Sequence, residues 1–358
     1  MKNLAIPVMR PRLPDADSLM PLLRRIDDAQ IYSNMGPLAQ ELGARLSARY
    51  DCPALPVANA TAGLTIALLA SQAPRGSLCM VPAWTFVASA QAILAAGLVP
   101  FIVDVDETIG ALTPDLAERW RAHAPAAIGA VMVVSVFGQP VDLAGWQEFR
   151  RRHNAAVIID AAAGFDTALA SDLPSVVSLH ATKVLGCGEG GFILCRDPDI
   201  HQRCIAASNF GFAGQRHASM VGLNGKISEY HAAIALAALD QWPQQRQAFV
   251  ALLTQLRRRL TPKLDWPAGL GETMVTNTLT LAFPGGWQAA SRHFAAHGIE
   301  TRRWWGDGLH RQQGFAACPR LPTPQTDRLA AVSLGLPCWL GLDEAQMDRI
   351  AGAAADLI

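Results

Sequence analysis

Lys183 stands in SLHATKVLGCGEGG (178–191), with a hydroxyl before it at Ser178 and a cluster of glycines after it. Three chemistries suit such a stretch: a dinucleotide fingerprint, a phosphate loop, or a lysine used as a nucleophile. The fingerprint needs a helix after its glycines, so that the helix N-terminus faces the pyrophosphate. Here the glycines run into the strand-like FILC (192–195). A Walker loop places its lysine after the glycines, and Lys183 precedes them. The glycines read as a tight turn between strands, which leaves the lysine. Lysines are seldom buried without a partner. Burial lowers an amine's pKa and makes it competent to attack a carbonyl. A lysine at a strand end that simply reaches solvent is the alternative.

Asp160 closes the apolar run AAVIID (155–160). In an open α/β sheet, the carboxyl ends of parallel strands are where ligand groups gather. A lysine and a carboxylate at one sheet edge are what pyridoxal phosphate requires. The amine bonds the aldehyde, while the carboxylate pairs with the pyridinium nitrogen and maintains the ring as an electron sink. A helix cap or a bare strand-end charge is the other reading of Asp160. NATAGL (59–64) opens a helix directly after PALPV (53–57). Its amides and the Thr61 hydroxyl could hold a phosphate at the positive helix end; an ordinary N-cap by Asn59 or Thr61 fits equally. Ser178 offers a second hydroxyl. PAWTF (82–86) supplies aromatics after another strand end, for stacking on a ring or for core packing.

These residues must be placed by a regular scaffold. Leu38, Leu42 and Leu46 recur at helical spacing in 36–50. Segments 61–72, 85–97, 113–122 and 142–153 also read as helices, with Gly97 in the stop position. Apolar runs at 77–82, 98–105, 128–136 and 155–160 read as strands buried on both faces. Strands of that kind alternating with helices imply a mostly parallel sheet covered on both sides. Runs 175–180 and 191–196 are strands joined by the glycine turn, a local departure from that order. Helices at 227–240 and 242–259 follow, with a break expected at Pro243. A smaller αβ region closes the chain: strand 276–283, helix 287–297, strand-like 332–337 and a helix from Asp343. The expected division is a large domain 1–240 and a small α+β domain 241–358.

Bulk properties narrow the partners. Lys+Arg 30 balance Asp+Glu 30, so no basic stripe points to nucleic acid and a small-molecule partner is expected. The seven cysteines show no CxxC, disulfide or zinc pattern, and a reduced, cytoplasmic setting is expected, with no metal. Pro7, Arg10 and Asp15 interrupt the N-terminus too early for a signal peptide. Apolar runs fall short of the ~20 residues that span a bilayer.

The order of these motifs resembles the DegT/DnrJ/EryC1/StrS family, the fold-type-I pyridoxal-phosphate enzymes known as sugar-nucleotide aminotransferases. The resemblance runs from SNMGP (33–37) to the C-terminus. NATAGL is similar to the family's S-G-T-x-A-L loop, PAWTFVAS to P-x-[FYW]-T-[FW], and DAAA (160–163) to D-A-A-[QH]. SLHATKVLGCGEGG matches S-[FL]-H-x-x-K-x-x-x-x-GEGG, and GLNGKISEYHAA (222–233) matches G-x-N-x-[RK]-[MI]-x-[DE]-x-x-AA. HGIETRRWWGDGLH (297–310) and SLGLP (333–337) resemble landmarks of the small domain.

The resemblance implies a three-layer, fold-type-I large domain with a mostly parallel sheet, followed by a smaller C-terminal domain. It assigns Lys183 as the Schiff-base lysine, Asp160 to the pyridinium, and Phe86 to ring stacking with Trp84 nearby. Ala60, Thr61 and Ser178 go to the phosphate, and Asn224 to the phosphate of a neighbouring subunit, hence a homodimer. Two positions depart from the pattern: Ala163 stands where the family has Gln or His, and Ala60 where it has glycine. The implied reaction moves an amino group from an amino acid, glutamate, to a nucleotide-linked keto sugar. A regulatory or binding protein that retains the fold without turnover is the alternative suggested by Ala163, and another pyridoxal reaction such as dehydration is a third. Arg302, Arg303, His310 and Arg311 beside Trp304 and Trp305 could clasp a nucleotide diphosphate and stack its base, or form a solvated face.

Overall fold

In the computed structural model, which describes residues 5–260, 264 and 266–357, seven strands form one sheet. They are β1 (Ala54–Val57), β2 (Leu78–Pro82), β3 (Val99–Val103), β4 (Ile128–Val134), β5 (Ala156–Asp160), β6 (Ser175–Ser178) and β7 (Gly191–Leu194). Their spatial order is β1-β7-β6-β5-β4-β2-β3. Only β7 runs against the rest, pairing antiparallel with both β1 and β6. The departure expected at 175–196 is therefore a reversed strand inserted into a parallel sheet. It returns through the glycine turn in place of a helical crossover.

Alternation along β4 shows why the sheet needs two covers. Val131 and Val133 face one core with Trp146 and Phe149, while Ala130 and Met132 face a second core with Leu64 and Ile93. Successive side chains of a strand point to opposite faces, so a strand apolar at every position requires a layer on each side. One layer contains helix α3 (Ala60–Ala70), α4 (Val87–Ala95) and α7 (Pro198–Ser208). The other contains α1 (Ala16–Ala29), α2 (Pro37–Tyr50), α5 (Pro114–Arg121), α6 (Leu143–His153) and α8 (Glu229–Arg259). This is the three-layer α/β arrangement expected from the sequence. Gly97 ends α4 at φ 79°, the left-handed value that glycine adopts without strain.

The break expected at Pro243 does not occur: α8 is one helix of 31 residues with Pro243 inside it. A proline inside a helix removes a hydrogen bond and costs about 3 kcal/mol. Packing on both sides holds the helix through it, with Trp242, Phe249, Leu252, Leu253 and Leu256 all buried in the same core. Just past the proline, Arg246 donates to the buried Asp166 at 2.7 Å, whose other oxygen accepts the Val275 amide at 3.1 Å. A division at residue 241 cuts this helix and meets no linker.

The C-terminal region holds an antiparallel pair, β8 (Thr280–Ala282) with β9 (Ser333–Gly335), and helices α9 (Trp287–Ala296), α10 (Pro324–Val332) and α11 (Glu344–Ala355). Two buried carboxylates fasten helix N-termini from a distance. Glu229 takes the Leu38 and Ala39 amides of α2 at 2.8 and 2.9 Å. Asp104, just past β3, takes the Gln325 and Thr326 amides of α10 at 2.8 and 2.9 Å. Each meets orphan donors at the positive helix end. Among the described residues no helix is long and apolar enough to cross a membrane.

Candidate active site

Asp160 is the last residue of β5, level with Val134 on β4 and Val176 on β6. It is buried, 6% exposed. The Ser89 hydroxyl donates to Oδ2 at 2.6 Å, and the Ala162 amide donates to Oδ1 at 3.1 Å. Thr85 lies beside Ser89 at 2.9 Å, so a short hydroxyl chain from the start of α4 leads to the carboxylate. Burial pushes the carboxyl above its ordinary range, opposed by Ser89, Ala162 and the charge of Lys183. Burial pulls the half-buried Lys183 below its ordinary range, opposed by Asp160. A displaced acid and amine that sense each other mark a place prepared for chemistry.

The glycine turn sets the lysine loop. The Ala181 amide donates to Gly188 at 2.8 Å, Leu179 to Gly190 at 2.9 Å, and Lys183 to His180 at 2.9 Å. At Gly191 a Cβ would come within 2.9 Å of the Val177 carbonyl and 3.0 Å of the Ala60 nitrogen. Only a residue without a side chain lets the start of α3 approach so closely. Register completes the link, because Gly191 pairs with Ser178 on one side and Val57 on the other. Ser178 and the first turn of α3 thus share one edge of the sheet.

Asn59 caps α3, accepting from the Ala62 amide at 2.8 Å. Among the described residues no acceptor meets the Ala60 or Thr61 amides, and Thr61 is exposed. The cap and the phosphate readings of NATAGL are therefore compatible: Asn59 uses one donor, and two donors with a hydroxyl stay open to an anion. Ser178, buried, accepts from the His180 amide at 3.2 Å and retains its own proton to donate. Phe86 begins α4 three residues before Ser89 and is 55% exposed, a ring with an open face beside the Asp160 edge. These groups fit pyridoxal phosphate: a buried carboxylate, an amine of lowered basicity, free helix-end amides and an uncovered aromatic ring.

The other expected residues stand on neighbouring segments. Trp84 is buried, edge-on to Trp305 at 5.3 Å, and Trp305 stacks on Phe137 at 4.2 Å. The Leu309 amide bonds the Ala83 carbonyl at 2.8 Å, which ties the 309–310 segment to the same strand end. His310 and Arg311 both bond Asp327, at 2.9 and 3.0 Å. Arg303 lies over the Trp287 ring at 4.0 Å and donates to Asp307 at 2.5 Å. Each of these three side chains thus meets a carboxylate within the chain. Asn224 is exposed on the 209–225 loop, and its side chain has no hydrogen bond to the Lys183–Asp160 group among the described residues.

Sequence reasoning missed Ser89, Thr85, Phe137 and Asn277. Asn277 donates its amide to the Thr182 carbonyl at 2.8 Å, gripping the lysine loop from the C-terminal region. Phe137 has φ 50°, strained for a bulky residue, and a Cβ at Gly138 would come within 2.7 Å of the Ala163 carbonyl oxygen. A hydroxyl on the inner face of α4 was the one available signal, since Ser89 falls one helical turn after Phe86.

The fold is that of an α/β transferase, and the groups gathered at its sheet edge fit a pyridoxal cofactor. The chain belongs to the DegT/DnrJ/EryC1/StrS aminotransferase family, whose model matches residues 15–354. Protein Rv3402c of Mycobacterium tuberculosis is 30% identical over 341 residues, 87% of this chain and 79% of that one. The UDP-N-acetyl-3-dehydro-alpha-D-glucosamine 3-aminotransferase of Acidithiobacillus ferrooxidans is 28% identical, covering 98% and 97%. The crystal structure of DesI, solved with its TDP-sugar product, superposes with a TM-score of 0.87 at 27% identity, over 99% of this chain and 92% of that one. The protein is accordingly a pyridoxal-phosphate-dependent aminotransferase.

Proposed function

We propose that the chain transfers an amino group from glutamate to the keto carbon of a nucleotide-linked sugar. The observation that carries this reading is the convergence of Lys183, Asp160, Ser178 and the α3 N-terminus on one sheet edge. Relatives named for nucleotide-sugar amination supply the substrate class. The cofactor, when bound, supplies an electron sink for the carbon that loses or gains a proton.

The residues of the chain do the rest. The open Ala60 and Thr61 amides, with the Thr61 and Ser178 hydroxyls, bind the phosphate. Asp160 retains the proton on the ring nitrogen, and Ser89 and Ala162 hold its carboxylate in place. Phe86 covers one face of the ring. Lys183 anchors the cofactor, then moves the proton at the reacting carbon as general base and acid. Its lowered basicity favours the neutral form that such a base requires.

Trp84 and His310 border the sugar nucleotide from the strand end that Leu309 joins, and Arg303 holds the adjoining loop. The chain works as a homodimer in which Asn224 reaches the partner's phosphate site. Exposed Tyr32, Phe210, Val221 and Tyr230 support this as apolar surface awaiting a cover.

The test is a half-reaction. Excess glutamate should bleach the visible band of the bound cofactor, and a nucleotide keto sugar should restore it with nitrogen transferred from labelled glutamate. A cofactor-loaded protein that is inert to glutamate and to other amino acids would sink the reading.

A further inference from the structure

Far along the chain from Lys183, two histidines and an aspartate converge on the outer face of the C-terminal region. His293 lies in α9 and His297 caps its end, one helical turn apart, while Asp356 directly follows α11. One ligand atom from each lies within 4.8 Å of the others. The imidazole rings are 4.5 Å apart. Beneath them Phe294, Ile350 and Ala354 are fully buried, so both helices rest on a packed base.

Two details go beyond proximity. His297 Nδ1 lies 2.9 Å from the His293 carbonyl, an oxygen that can only accept. Nδ1 therefore donates there, and Nε2 is the ring nitrogen left to face a ligand. Metal-bound histidines are oriented in this way, by a carbonyl on the second nitrogen. His293 Nε2 is buried and has no hydrogen-bond partner, although the Asp356 carboxylate is near. Their separation is 3.6 Å. That is long for a hydrogen bond. It is close to the edge of a tetrahedron whose ligands lie about 2.0–2.1 Å from a central zinc.

We propose that His293, His297 and Asp356 form a zinc site that staples α9 to the end of α11, with water in the fourth position. Two imidazoles and a carboxylate suit zinc in charge and donor type, and three protein ligands leave a position open. The geometry brings together residues that the spacing rules for zinc motifs do not connect. The site uses none of the residues assigned to the cofactor or to the proposed substrate.

The experiment uses the full chain, without a histidine tag, stripped with chelator and titrated with zinc against a chromogenic indicator. Wild type should take up one equivalent more than His293→Ala/His297→Ala, and zinc should raise its melting temperature. In Asp356→Asn, which retains the size of the side chain, zinc affinity should fall at least about tenfold. Equal zinc uptake by wild type and the double variant would overturn the proposal and leave a simple imidazole–carboxylate pair. So would zinc uptake that leaves the melting temperature of wild type unchanged.

Discussion

Removing the Ser89 hydroxyl tests how the site keeps Asp160 usable. The carboxylate is buried, so its charge relies on few donors, and Ser89 supplies the shorter hydrogen bond at 2.6 Å. A hydrogen bond to a charged group contributes about 1.5–3 kcal/mol. Ser89→Ala should therefore shift the balance from ionised to neutral carboxyl by about one to two powers of ten. Burial already holds the carboxyl above its ordinary value of 3.8, so ionisation is complete only above that raised value. A protonated ring nitrogen needs the ionised form. Cofactor affinity should consequently fall on the acid side, and in Ser89→Ala the acid limb should move up by about one to two pH units. The assay is titration of the stripped protein with pyridoxal phosphate across a pH series, followed by visible absorbance. Thr85→Ala serves as the control, since Thr85 touches Ser89 and not the carboxylate. Superimposed acid limbs for wild type and Ser89→Ala would refute the reasoning.

Other substitutions probe separate parts of the scaffold. Lys183→Ala should lose the visible band near ~410–430 nm that the lysine-linked cofactor gives, while circular dichroism of the fold stays the same. Gly191→Ala should push the first turn of α3 away from β7, because the added Cβ meets only backbone atoms; phosphate-dependent cofactor affinity should drop, read by titration. Glu229→Ala should cost about 2–4 kcal/mol by orphaning the Leu38 and Ala39 amides, measured as a lower urea midpoint with an unchanged slope.

What the sequence disclosed followed from local rules. Asp160 could be placed because an apolar run ended on it, and the start of α3 because a strand, a cap residue and a helix follow in order. Lys183 stood out once the glycines failed as a nucleotide loop. Helices α1, α7 and α10 went unforeseen, in α1 because only Ile26 is fully buried and Pro21 interrupts its pattern. Pro243 misled for the reverse reason: a local rule predicted a break, and long-range packing of Trp242 and the Arg246–Asp166 pair overrode it. Ser89 and Asn277 act across long gaps in the chain. Nothing near them in sequence identifies the carboxylate or the carbonyl they meet.

Asp160→Asn separates the two demands placed on this residue. The folded carboxyl holds its proton more tightly than the unfolded one, whose value is near the ordinary 3.8. As pH rises past 3.8, the unfolded chain releases its proton first, so stability is highest below that point and declines until the folded carboxyl has also ionised. Above 3.8 the cofactor-free chain therefore bears a penalty for burying this acid, which asparagine escapes because it does not ionise, while its amide oxygen still accepts from Ser89. The variant should unfold at higher urea than wild type when both lack cofactor, and the difference should shrink as pH is lowered towards 4. With cofactor the order should reverse, because asparagine cannot hold the ring proton. A cofactor-free variant weaker than wild type at neutral pH would mean that Lys183 and the Ala162 amide, which asparagine cannot serve together with Ser89, stabilise an ionised carboxylate. The site would then be an ion pair that the cofactor must break, and not an acid that the cofactor recruits.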